Sequence, residues 1–219
     1  IIENLRIIKD EDEVCRIKQA ISITLRTFQF IKKTLKPAMK ETELAAEIER
    51  YIRMEGAQGA SFDIIVASGP HSSFPHAKKT ERRFCTNEPV LIDMGVDFKG
   101  YKSDLTRVFF LGTMSPLFKK IHSIVKTAQE RAIRLIQPGI PIGVIDKAAR
   151  QYIKKQGFGD CFWHSLGHGV GLEVHEQPKI APRNEALLKE GMIFTVEPAI
   201  YLDNKFGVRI EDIVRVTAK

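Results

Sequence analysis

His-Ser-Leu-Gly-His-Gly-Val-Gly-Leu-Glu-Val-His-Glu, residues 164–176, holds three of the chain's six histidines and places glycine at 167, 169 and 171. A helix would put His164 and His168 on one face at i, i+4. Three glycines in five residues make that helix costly, by about 1 kcal/mol each relative to alanine. An extended backbone suits the glycines better, and its two-residue period also keeps both histidines on one face. Small residues beside imidazoles leave room for an ion or a substrate. Two blander readings compete: a glycine-rich turn with incidental histidines, and a dinucleotide-binding loop. The second is the weaker, because no strand-turn-helix unit frames the glycines.

On either side of this stretch, acidic residues interrupt apolar runs. Asp93 lies in Val-Leu-Ile-Asp-Met-Gly and Asp104, eleven residues on, in Ser-Asp-Leu-Thr-Arg. Their midpoint falls on a turn at Phe98-Lys99-Gly100, so a hairpin would set the two aspartates opposite each other. Glu197 in Phe-Thr-Val-Glu-Pro and Glu211 in Val-Arg-Ile-Glu-Asp are fourteen apart, centred on the turn Asp203-Asn204-Lys205. Like charges facing across a sheet are destabilising unless a cation sits between them. Arg107 and Arg209 are near enough to serve, but a metal pair neutralises four carboxylates better. Oxygen donors with one imidazole suit Mn²⁺, Co²⁺, Fe²⁺ or Zn²⁺ more than an all-thiolate zinc site does.

The rest of the chain reads as one unit used twice. Val14, Ile17, Ile21, Leu25, Phe28 and Ile31 predict a helix from about Glu11 to Leu35, ended by Pro37. A second helix spans about Glu41 to Glu55 and stops at Gly56. A strand, Phe62 to Ala67, precedes the hairpin of Val90–Val96 and Tyr101–Leu111. Leu117, Ile121, Ile124, Ala128, Ala132 and Leu135 then predict a helix over Ser115–Ile136, followed by one over Ile142–Gln156 that stops at Gly157. A shift of 101 residues aligns Pro37 with Pro138, Leu44 with Ile145, Tyr51 with Tyr152, Ile52 with Ile153 and Gly56 with Gly157. The second half ends in strands Met192–Leu202 and Gly207–Val216. An α+β domain with two pseudo-symmetric helix-helix-strand halves around an antiparallel sheet is expected.

Composition narrows the classes. The 219 residues carry a net charge of +7, but the basic residues are dispersed rather than gathered in a stripe with aromatics, which argues against nucleic acid. No apolar run approaches the roughly 20 residues of a membrane span. Cys15, Cys85 and Cys161 are odd in number and form no Cys-x-x-Cys pair, which suits a reduced, cytoplasmic protein. The first residues do not read as a signal peptide.

With these motifs assembled, the chain resembles the Xaa-Pro peptidases, aminopeptidase P and prolidase, of the pita-bread metallopeptidase superfamily. Residues 164–176 are similar to that family's signature throughout, and the four carboxylate motifs occur in the family's order. The resemblance implies the pita-bread fold and five metal ligands, Asp93, Asp104, His168, Glu197 and Glu211, holding two divalent ions, Mn²⁺ or Co²⁺ first. It implies that Asp104 and Glu211 bridge the ions and that Glu197 is the general base. His76, His164 and His175 match histidines lining the substrate site, and Arg209 matches an arginine that supports the ligands. The implied reaction is hydrolysis of the bond between an N-terminal residue and proline, in dipeptides or longer peptides, by a protein that fits a homodimer. Residues 1–219 are expected to form the catalytic domain, without the N-terminal domain usual in the family. Phe74, Phe162 and Trp163 are candidates for the pocket wall, and His71 and His122 read as surface histidines. Methionine aminopeptidases share the fold and ligands but generally lack a histidine at the position of His164. Non-catalytic pita-bread modules that bind protein partners typically lose ligands, and none is lost here.

Overall fold

Helices stand where apolar residues recur every three to four positions. The structure, a computed structural model, describes residues 2–218. After the short α1 (Ile2–Arg6), α2 (Glu11–Thr34) buries Val14, Ile17, Ile23, Phe28 and Ile31. Asp10 caps it by accepting from the Glu13 amide, while the Glu13 carboxylate accepts from the Asp10 amide, each at 2.8 Å. α3 (Glu41–Met54) is followed by Gly56, whose φ of 94° only glycine adopts freely. α4 (Pro116–Ile133) and α5 (Ile142–Lys155) repeat the pair, and Gly157 again turns left-handed at φ 87°. α3 and α5 are therefore displaced by 101 residues, as the repeat requires. Leu25, Leu117 and Leu135, expected on inner faces, are exposed. In α2 the neighbouring Thr24 and Thr27 are buried instead, each hydroxyl satisfied by the carbonyl four residues earlier.

The strands are β1 (Gly59–Ala60), β2 (Ile65–Ser68), β3 (Glu88–Met94), β4 (Val96–Phe98), β5 (Tyr101–Lys102) and β6 (Leu105–Leu111) in the first half. β7 (Gly167–Gly169), β8 (Glu176–Ile180), β9 (Ile193–Val196), β10 (Ala199–Leu202), β11 (Phe206–Arg209) and β12 (Asp212–Arg215) follow in the second. All pair antiparallel, in the orders β2-β3-β6, β1-β4-β5, β12-β9-β7-β8 and β10-β11. The strand expected over Phe62–Ala67 begins only at Ile65, which pairs with Asp93 near the end of β3. Each half has its own apolar core: Leu44, Ile48 and Ile52 pack with β2 and β3 in one, Ile145, Ala149 and Ile153 with β9 to β11 in the other.

Both hairpins are interrupted beside acidic residues, at Asp104 in the first and at Glu197 and Glu211 in the second, while Asp93 stays within β3. In the second, Ala199 pairs with Arg209 and Val196 with Asp212, so Glu197 and Glu211 share the register exposed by the gap between the two ladders. In the first, Phe98 pairs with Tyr101, and Lys99 and Gly100 form a two-residue turn with φ of 51° and 84°. That turn centres the hairpin one residue later than the midpoint of Asp93 and Asp104. In consequence Asp93 faces Thr106 rather than Asp104, and the two aspartates are diagonal neighbours.

Candidate metal centre

Asp93, Asp104, His168, Glu197 and Glu211 line one cavity of about 890 Å³, together with His76, His164, His175 and Arg209. Donor atoms of Asp104, His168 and Glu211 lie within 4.8 Å of one another. His168 Nε2 is 3.5 Å from Asp104 Oδ2 and 3.4 Å from Glu197 Oε1. These are not ion pairs. His168 Nδ1 donates to the Gly169 carbonyl at 3.1 Å, and burial, then the neighbouring His175, lowers the imidazole's pKa to about 4. A neutral ring with its proton on Nδ1 turns the Nε2 lone pair toward two carboxylates.

The acids meet the same frustration. Burial first, then the charges of Glu211, Asp93 and Glu197, raises the Asp104 carboxyl well above its ordinary range. Burial raises Glu211 likewise, with Glu197 and Asp93 adding to it, and lifts Glu197 to about 8. Among the described residues, Asp93 Oδ1 and Asp104 Oδ1 are buried with no hydrogen-bond partner. Unpaired buried carboxylate oxygens beside a bare imidazole lone pair are a donor set that divalent cations fit.

A ring of supporting groups fixes the donors. Arg209 donates from Nη2 to Asp93 Oδ2 at 2.6 Å, from Nε to Thr106 Oγ1 at 3.0 Å and from Nη1 to the Tyr201 hydroxyl at 2.6 Å. Thr106 in turn donates to Glu211 Oε2 at 2.6 Å. Arg209 thus holds Asp93 directly and Glu211 through a hydroxyl. Burial alone would pull its pKa down, but Tyr201 and the Asp93, Glu211 and Glu197 carboxylates more than offset it and hold the guanidinium charged. Thr195 accepts from the His168 amide at 3.1 Å and donates to Glu197 Oε1 at 3.2 Å. Thr106 and Thr195 stand two residues from Asp104 and Glu197, on the same strand face, a spacing that was open to sequence reasoning. Arg107, the other arginine considered, binds Asp212 and the Glu211 carbonyl instead.

The histidines divide in two. His76 and His175 are exposed to the cavity, and the His175 ring centroid is 4.1 Å from that of His168. His164 does not reach the carboxylates. Its Nδ1 donates to the Ser165 carbonyl at 2.8 Å, and its Nε2, 3.3 Å from the Tyr201 hydroxyl, can accept from it. Burial lowers its pKa to about 4. The buried Asp146, paired with Arg150, also accepts from the Leu166 amide, while Arg150 donates to the Phe162 and His164 carbonyls, all between 2.7 and 3.1 Å.

Several expectations need correction. The glycines do not make room for an ion or substrate. A Cβ at Gly167 would run into the Thr195 carbonyl and one at Gly169 into the Gln177 carbonyl, so these glycines admit neighbouring strands. The stretch 164–176 is extended only in part, as β7, a bend and the start of β8. Phe162 is core, and Phe74 and Trp163 are exposed outside the cavity, where Phe62 and Tyr201 form the aromatic wall. His122 is half-buried against Phe118. His71 is not a free surface residue: it binds the buried Glu41.

The profile of metallopeptidase family M24 matches residues 15–218. The chain is 41% identical over 217 residues to an Xaa-Pro dipeptidase of Pyrococcus furiosus, covering 99% of this chain and 62% of that protein. It superposes on an X-Pro aminopeptidase from Thermotoga maritima with a TM-score of 0.97 at 44% identity, covering 99% of this chain and 62% of the other. A prolidase from Pyrococcus furiosus gives a TM-score of 0.97 at 41% identity, over 100% and 65% of the two chains. The chain thus spans roughly three-fifths of the length of these relatives. Helices packed on antiparallel strands in two like halves, matched this closely, are the pita-bread fold. By fold, by the length of the match and by the identity of its relatives, the chain belongs to metallopeptidase family M24.

Proposed function

We propose that the chain is the catalytic domain of an Xaa-Pro peptidase that hydrolyses the bond between an N-terminal residue and proline, in dipeptides or short peptides. The observation that carries this reading is the convergence of buried, partly unpaired carboxylates and a neutral imidazole lone pair in one cavity. Relatives named Xaa-Pro dipeptidase support the substrate class. Asp93, Asp104, His168, Glu197 and Glu211 would hold two divalent ions, with Mn²⁺ or Co²⁺ our first choice. Bound there, such ions would supply Lewis acidity, polarising a peptide carbonyl and making a water acidic near neutral pH.

The chain's own groups do the rest. Glu197, steadied at Oε1 by Thr195, would take the proton of the attacking water and deliver it to the leaving proline nitrogen. His175 and His76, exposed to the cavity, would donate to the substrate's carbonyl oxygen and orient the peptide. His164 has both ring nitrogens engaged, so its part is to shape the wall beside Tyr201 rather than to move protons. Arg209 would hold Asp93 directly, and Glu211 through Thr106, in place.

Many basic side chains are spent on acidic partners, including Arg26 with Glu55, Lys40 with Glu81 and Arg82 with Glu88, which supports a solvated surface over a nucleic-acid face. No helix among the described residues is long and apolar enough to cross a membrane, and all three cysteines are free, in keeping with a reducing cytoplasm.

A cleavage panel tests the proposal. The chelated chain, resupplied with Mn²⁺ or Co²⁺, should cleave Xaa-Pro or Xaa-Pro-Yaa and leave Met-Ala-Yaa intact. Preference for Met-Ala-Yaa would identify a methionine aminopeptidase instead. Absence of any metal-dependent cleavage would sink the enzymatic reading.

A further inference from the structure

A buried carboxylate outside the metal centre needs partners of its own. Glu41, the first residue of α3, is fully buried and has them on both oxygens. Its Oε1 accepts from the Ser68 amide and hydroxyl, both at 2.8 Å. Its Oε2 accepts from the Thr80 amide at 3.0 Å and the Thr80 hydroxyl at 2.7 Å. His71 Nδ1 lies 3.1 and 3.0 Å from the two oxygens and donates to them. The start of a helix favours this negative charge.

These partners bracket one stretch of chain. Ser68 ends β2, a 3₁₀ turn runs from Gly69 to Ser73, and Thr80 lies beyond it. One carboxylate therefore ties both ends of segment 69–79 together, with His71 between them. On its other side the segment rests on β11: the Gly207 amide donates to Ser72 Oγ at 2.9 Å, and Arg209 Nη1 donates to the Pro75 carbonyl at 3.3 Å. His76, the next residue, is exposed into the cavity. Where its ring stands follows from how the segment is tied down.

We infer that Glu41, assisted by His71, is a positioning residue that sets His76 over the metal centre by fixing segment 69–79. What His76 does there rests on the peptidase reading; how it is held does not. The second half offers a parallel in Asp146 of α5, which with Arg150 fixes the backbone that carries His164.

Glutamine cannot take Glu41's place, because its amide N–H₂ would face an N–H or O–H that needs an acceptor. In Glu41→Gln, hydrogen exchange at the amides of 69–79 should quicken while α5 and β9 exchange as in the parent. The kcat/KM for an Xaa-Pro peptide should fall roughly 10- to 100-fold with metal content unchanged. In the double variant with His76→Ala, the loss should be no greater than in His76→Ala alone, because the first substitution acts through the second. Additive losses, or parental exchange across 69–79, overturn the inference. If Glu41→Gln does not fold, His71→Ala leaves the four Ser68 and Thr80 donors in place, and the same exchange comparison and cycle decide. A parent chain that cleaves no Xaa-Pro peptide refutes the peptidase reading, and the exchange comparison still decides how the segment is held.

Discussion

Asp104 is the residue on which the centre turns. It is buried, one of its oxygens has no partner, and its neighbours include three further carboxylates. Asp104→Asn removes the charge a cation would meet but keeps the shape, so metal content and activity should both collapse; a metal analysis beside a rate assay checks this. His175→Ala is different in kind. That side chain is exposed to the cavity with its ring beside that of His168, so kcat should fall by about 10²-fold or more while the metals stay bound. Loss of metal in that variant would move His175 into the ligand set. Much of this was readable from the chain, because charged residues inside apolar strands call for a partner. Glu41 and Asp146 were not readable: an acidic residue in the first turns of a helix is ordinary, Glu41's partners all lie far along the chain, and Asp146's one local partner, Arg150, reads as an ordinary i, i+4 pair.

At the scale of the element, the hairpins decide the site. Glu197 and Glu211 were legible as a facing pair because their turn is centred on Asn204, and the register agrees. The aspartates were misplaced because Lys99-Gly100 makes a two-residue turn with a lysine at positive φ, without the Asn-Gly signature that announces one. Asp104, Glu197 and Glu211 stand at breaks in the two ladders, and Asp93 joins them in the cavity from within β3. Close strand approach is the second requirement. At Gly95 a Cβ would strike the Ser103 carbonyl, and at Gly167 the Thr195 carbonyl, both backbone atoms that cannot swing away. Gly167→Ala should therefore destabilise the fold by roughly 1–3 kcal/mol or more and displace Thr195, lowering metal affinity. Denaturant unfolding with and without Mn²⁺ would measure both, and an unchanged midpoint would refute the close-approach account.

Across the whole molecule, two halves displaced by 101 residues along α3 and α5 close around acids that repel one another. The repeat was visible in Gly56 and Gly157, Ile52 and Ile153, because caps and core positions are local signals. Without metal, protons must relieve the repulsion, which makes stability depend on pH. Asp104, Glu197 and Glu211 have folded pKa values above their unfolded ones, so the folded chain keeps protons that the unfolded chain releases. Their contribution falls as pH rises through the folded values, about 8 for Glu197. His164 and His168, lowered to about 4 in the folded chain, contribute stability that grows from pH 4 up to 6.5, the ordinary imidazole value, and is complete above it. Between pH 6.5 and 8 the contribution of these two histidines is constant and that of the three carboxyls falls, so the Tm of the chelated chain should drop across that window. Saturating Mn²⁺ should raise Tm and flatten the slope, which scanning calorimetry can follow.

The central claim is that these five side chains converge because paired dications neutralise them. Titration of the chelated chain with Mn²⁺, read as ions bound per chain, tests it most directly. The account predicts two ions per chain in the parent and a loss of tight binding in Asp104→Asn and Glu211→Gln. No tight binding in the parent, or two ions retained in both variants, would contradict it.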